Sequence, residues 1–196
     1  MKEEELQHHM SSNKIDCCLF LNNPNFFYFS RQITPGCLII NDSGKQSLVV
    51  SKLDAENLEK KVVWEKGQLF DFLRKKVGKA RRIGIDKNYL LVNSLMQLRK
   101  SFQKSRFVDV SGFCQKLRLT KTDEELQKLR SASKITEGIY SDCLANFDRF
   151  ETENDVARFL KISTIENDCE LSFEPVVASI LSSTPLRISM PPLSLV

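Results

Sequence analysis

The chain has 196 residues, enough for one large domain or for one complete domain with part of another. Hydrophobic content of 41% and charged content of 28% are ordinary for a soluble globular protein. No apolar run approaches the roughly 20 residues of a membrane span, and the acidic start MKEEELQHHM is the opposite of a secretory signal, so a cytoplasmic protein is expected. The net charge of +4 is unevenly placed. Residues 1–120 carry 21 Lys/Arg against 12 Asp/Glu, whereas residues 121–196 carry 8 against 13. A basic front and an acidic back imply two units with different surfaces.

Residues 1–13 are polar and read as a frayed leader that holds the chain's two histidines, His8 and His9. Flexible leader residues of this kind bind metal only adventitiously. The run from Ile15 to Leu21 is apolar and predicts a buried strand, closed by the turn cluster Asn22–Asn25. The aromatic stretch Phe26–Ser30 predicts a second strand. Pro35-Gly36 then interrupts the chain, and two apolar runs around Asn41-Asp42-Ser43-Gly44 give a hairpin signal.

Helical spacing follows over 53–61 and 67–77; in the second, Leu69, Phe70, Leu73 and Val77 share one face. Arg82–Asp86 predicts a strand, Tyr89–Phe102 a helix, and Arg106–Val110 another strand. Alternating strands and helices over 14–112 indicate an α/β domain with a central mixed sheet. Residues 117–122 read as a linker. Thr122 with Glu125, and Thr152 with Asp155, are helix starts in which a hydroxyl caps free amides and acids meet the positive helix end. Helices to about Asn146 and through Ile165 are expected, then a strand over 170–179. From Ser179 onward the chain is mostly Ser, Leu and Pro, with no acid and one base, Arg187.

Three phrases in order carry a resemblance. Arg118, Lys121, Thr122, Glu125, Leu126, Leu129, Arg130 and Ala132 form the first; Thr152, Glu153, Asp155, Val156 and Ala157 form the second. The third is Ser172, Phe173, Pro175, Val176, Val177, Ala178 and Ser179. Together they resemble the creatinase, prolidase and Xaa-Pro aminopeptidase family, the pita-bread metallopeptidases. Arg82–Asp86 is similar to a strand of that family's N-terminal domain. Tyr28-Phe29-Ser30-Arg31 departs from it, lacking the Gly of the family's Tyr-x-x-Gly turn.

The resemblance implies the following organisation: a leader over 1–13, a creatinase-like N-terminal domain over 14–116, a partial pita-bread domain over 117–179 that ends on its first strand, and an atypical tail over 180–196. It also implies hydrolysis next to proline by two divalent metal ions, such as Mn or Co, held by two Asp, one His and two Glu, with further His for substrate. Carboxylates bring such ions together, and the ions acidify a bound water.

This sequence has no His after His9 and no Asp or Glu after Glu174. Where the family continues with Gly and then Pro-His, it has Ile180 and Pro185-Leu186. No catalytic, cofactor-binding or metal-ligating residue is therefore assigned. The expectation is a chain cut or frameshifted near 180, inactive alone, with peptide substrate only for a full-length relative. The alternative is a non-catalytic module that forms a homodimer through the N-terminal domain.

The six cysteines show no CxxC spacing and read as free, Cys17 and Cys18 as buried thiols. The basic stretch Arg74-Lys75-Lys76, Lys79, Arg81-Arg82 reads as a solvated face, with nucleic acid not expected because no aromatic series is interleaved for stacking.

Overall fold

In the computed structural model the described residues are 2–21, 23–55, 61–64 (backbone only) and 69–178. They divide into two compact units, residues 1–120 and 121–196.

The first unit is a three-layer sandwich. Its sheet has six strands, β1 (Cys17–Leu21), β2 (Cys37–Asn41), β3 (Gln46–Ser51), β4 (Lys61–Trp64), β5 (Arg82–Ile85) and β6 (Arg106–Asp109), in the order β4-β3-β2-β1-β5-β6. Strand β1 pairs antiparallel with β2 and parallel with β5. The β2–β3 pair is antiparallel, and β3–β4 and β5–β6 are parallel. The carboxyl ends of every strand but β2 therefore lie along one edge.

Strand residues alternate between the two faces, as a pleated sheet requires. Cys18, Phe20, Leu38, Ile40, Leu48 and Val50 share one core. Cys17, Leu19, Cys37, Ile39, Val49, Ile83 and Ile85 share the other. Because both faces are covered, the central strands read as continuous apolar runs. Over the first face lie α1 (Lys2–Ser12), α2 (Pro24–Ser30) and α5 (Ser111–Leu119), through Leu6, Met10, Phe26, Phe29, Cys114 and Leu117. Over the second lie α3 (Leu69–Val77) and α4 (Val92–Ser101), through Leu73 and Leu98, with Phe102 just beyond α4.

The expected leader is instead helix α1. Leu6 and Met10, four apart on one helix face, are fully buried, so the polar composition of this segment belongs to the helix's outer side. Phe26–Ser30 is helix α2, not a strand. The Asn23 side chain accepts from the Phe26 amide at 2.8 Å, Pro24 holds the first helical position, and Arg31 closes the helix in the left-handed region. Phe26 and Phe29 are buried at helical spacing while Phe27 is 41% exposed; a strand would have alternated.

The helix expected over 53–61 is a single 3-10 turn at Leu53–Ala55, and Lys61 opens β4; residues 56–60 lie outside the described residues. The expected linker at 117–122 is partly the end of α5, whose Leu117 is buried in the core. The hairpin after β2 forms as expected: the Asn41 side chain accepts from the Lys45 amide at 2.7 Å, and Gly44 takes φ +78°.

The second unit is a helical pair, α6 (Asp123–Ala145) and α7 (Glu153–Glu166), with a 3-10 turn between them. Both helices begin with complete capping boxes, Thr122 with Glu125 and Thr152 with Asp155. Residues 170–178 form no strand: no described segment pairs with them, and a strand without a ladder has no partners for its amides. Lys161 holds Glu174 at 2.5 Å.

Candidate functional site

Two features stand at the carboxyl edge of the sheet. The first is a buried polar cluster. The chain leaves β1 through Asn23 and Asn25, β5 through Asp86, and β6 through Asp109 and Ser111. Asn23, Asn25, Asp86 and Ser111 are all at least nine-tenths buried. Asn25 Nδ2 donates to Asp86 Oδ2, and Asp86 Oδ1 accepts from the Asn88 amide at 3.1 Å. The Lys87 amide donates to Ser111 Oγ at 2.9 Å, and the Ser111 hydroxyl and amide both reach Asp109 Oδ1.

Burial alone would raise the Asp109 carboxyl. Donation by Ser111, with Lys87 beside it, outweighs that and holds it below the usual carboxylate range. The cluster thus ties three adjacent strand ends together through side chains. Asn25 Oδ1 has no donor among the described residues.

The second feature is an apolar cleft of about 420 Å³ between the ends of β1 and β3 and the starts of α3 and α4. Leu21, Gly36, Val49, Leu69, Phe70, Tyr89 and Leu91 line it. Among the described residues its one carboxylate is Asp54, which accepts from the Ser51 hydroxyl at 2.5 Å. A cleft of this lining can hold an apolar side chain.

The two histidines are separated in role by the helix that carries them. His8 is exposed. His9 stacks on Phe113 of α5, with ring centroids 3.9 Å apart and planes 8° off parallel, and burial lowers its pKa. The polar composition of residues 1–13 hides this placement, although the spacing of Leu6 and Met10 carries its signal.

The cysteines are free thiols, with Cys17, Cys18, Cys37, Cys114 and Cys143 buried. Burial pushes Cys17 and Cys114 up to about 12 and raises Cys18 and Cys37 as well, which makes them poor nucleophiles. Arg74, Lys75 and Lys76 occupy the last turn of α3, and Lys79 and Arg81 the loop that follows.

A family model described as the Creatinase/Prolidase N-terminal domain matches residues 3–120, more than half of the chain. The chain belongs to the creatinase/prolidase family. Solved structures of similar fold include the Xaa-Pro dipeptidase from Bacillus anthracis, with TM-score 0.69 and 22% identity over 85% of this chain and 48% of that one. The prolidase from Pyrococcus furiosus gives TM-score 0.72 and 21% identity, over 84% of this chain and 52% of that one. The N-terminal domain of a Xaa-Pro dipeptidase from Lactobacillus brevis is covered over 98% of its length by 59% of this chain, with TM-score 0.50 and 14% identity. This member of the family therefore spans about half the length of the full-length structures it matches.

The donor groups of the described residues are not arranged as the two-metal centre implied by the resemblance would need. Among the described residues no group of three His, Cys, Asp or Glu side chains is placed to hold a metal ion. Four carboxylates of the second unit are held locally: Glu125 and Asp155 at caps, Glu124 on Lys128 at 2.7 Å, Glu174 on Lys161. No hydrolytic step is assigned to these residues.

Proposed function

We propose that this family member is a cytoplasmic, Xaa-Pro peptidase-related polypeptide that does not hydrolyse peptides by itself. Its creatinase-type α/β domain serves as a scaffold. The observation that carries this reading is the state of the chain's two histidines: one is exposed on α1, the other stacked on Phe113, and among the described residues neither belongs to a group of His, Cys, Asp or Glu side chains that could hold a metal ion. Two divalent ions such as Mn or Co, and peptides with proline after the cut, are then matters for full-length relatives. The test is turnover of an Ala-Pro substrate with Mn²⁺ or Co²⁺ added, which should not exceed buffer; clear metal-dependent cleavage overturns the reading.

A second function, homodimerisation through the N-terminal domain, is favoured by apolar side chains at and near the cleft's rim. Leu53 is 92% exposed, Leu91 73% and Val92 76%, more than an isolated surface residue explains. Sedimentation should show a dimer that L91E returns to monomer; a monomer at all concentrations removes this function. Among the described residues no helix is long and apolar enough to cross a membrane.

A further inference from the structure

The sheet's amino edge carries a feature unlike the carboxyl edge. Strands β5 and β6 are adjacent and parallel, so the loops that feed them, 78–81 and 102–105, run side by side. The Ser105 hydroxyl donates to Ala80 O at 2.6 Å, and the Arg106 amide to Arg81 O at 2.7 Å, which fixes the spacing of the two loops. The Asp16 carboxylate accepts from the Arg81 and Arg82 amides at 2.6 and 2.8 Å and anchors the first loop from behind.

Between the loops is a cleft of about 580 Å³, lined by Arg74, Lys79, Arg81 and Lys104 together with Ser101 and Gln103. Among the described residues no carboxylate lines it. None of these four cations makes a salt bridge among the described residues. Two acids border it: Asp71 takes the Ser101 hydroxyl at 3.3 Å, and Asp16 takes the Arg81 amide at 2.6 Å. A neighbouring cleft of about 310 Å³ shares Phe102, Gln103 and Ser105 and adds Arg99 and Lys87.

Helix ends account for part of this charge only. Cations in the last helical turn offset the negative end of the dipole, an effect that fades beyond that turn. This explains Arg74 and Arg99, which lie inside α3 and α4. Lys79, Arg81 and Lys104 lie past the helix ends, and ordinary surfaces intersperse both signs of charge. Gathering unpaired like charges in a concavity is unfavourable until an anion arrives, and low-dielectric walls focus their field into it.

We propose that this cleft binds a compact oligophosphate, such as the phosphate chain of a nucleotide. Two guanidinium groups, two ammonium groups and an amide suit many acceptor oxygens close together. The volume falls in the range of small-ligand sites. Phe102 is only 4% exposed, so the cleft offers no aromatic face on which the bases of a nucleic-acid strand could stack.

The experiment is calorimetric titration of the full chain with inorganic tripolyphosphate at low and near-physiological salt. Saturable binding is expected, weakening by about tenfold or more as salt shortens the reach of the charges. The double variant R81Q/K104Q should weaken it at least tenfold with an unchanged circular dichroism spectrum, while R130Q/K134Q on α6 should leave it as it was. An oligothymidylate of matching charge should bind no more tightly than tripolyphosphate. Absence of saturable binding, binding indifferent to R81Q/K104Q, or a tenfold preference for the oligothymidylate each overturns the proposal.

Discussion

At the scale of single residues, the carboxyl edge is held by groups whose role their own sequence neighbourhood does not announce. Asp86 closes the run Arg82–Asp86 and Asn25 sits in a turn cluster; only the parallel pairing of β1 with β5 brings them together. The partnership spans 61 residues of sequence and was not legible. Asp86→Ala would leave the buried Asn25 amide without its acceptor, and the expected loss is about 1–3 kcal/mol of stability in urea unfolding. A midpoint equal to the parent's would show that the cluster is not structural.

His9 gives a second residue-scale prediction. Burial lowers its folded pKa, so the unfolded chain, at its ordinary ~6.5, binds the proton more readily than the folded one. Stability contributed by the His9–Phe113 stack is therefore complete above that value and falls as the pH drops through it. Urea midpoints should decrease between about pH 7.5 and 5.5. His9→Phe, which keeps a ring on Phe113 but cannot titrate, should flatten the decrease; an equal decrease in the variant would assign it to other groups.

At the scale of elements, the strands were legible where apolar runs were continuous, since a strand covered on both faces hides every residue. The helices α6 and α7 were legible from their capping boxes, which are local in sequence. Three of the misreadings share a cause. In α1, α2 and α5 the helical signal was a pair or trio of buried residues at spacings of three or four, set among polar or aromatic neighbours that suggested something else. Aromatic residues favour strands only where both neighbours and burial agree; at Phe26–Ser30 the Asn23 cap and Pro24 prevail.

Helix α1 is the sharpest case. Leu6→Ala should cost about 2–5 kcal/mol, the range for emptying a filled core position. A frayed leader would lose nothing, so an unchanged midpoint would contradict the placement of α1 in the core.

At the scale of the molecule, the two units differ in what they bury. The first has two continuous cores on either side of its sheet. The second leaves Tyr140 61% exposed, Ile165 71%, Phe173 77% and Val176 77%, apolar surface of the kind that contacts cover. The family was legible from three short phrases in 118–179, whereas the family model matches the preceding residues 3–120. Phrase and domain thus identify the same lineage from adjoining parts of the chain. The basic cleft was legible only as a run of Lys and Arg; its concavity depends on two loops 24 residues apart being tied by Ser105 and Ala80, and by the Arg106 and Arg81 backbones.

The most direct measurement of the central claim is hydrolysis of an Ala-Pro substrate by the purified chain across a series of Mn²⁺ and Co²⁺ concentrations, with the Pyrococcus furiosus prolidase assayed alongside. The scaffold reading predicts release of free proline indistinguishable from buffer at every metal concentration. Saturable, metal-dependent release that scales with the amount of this chain would contradict it.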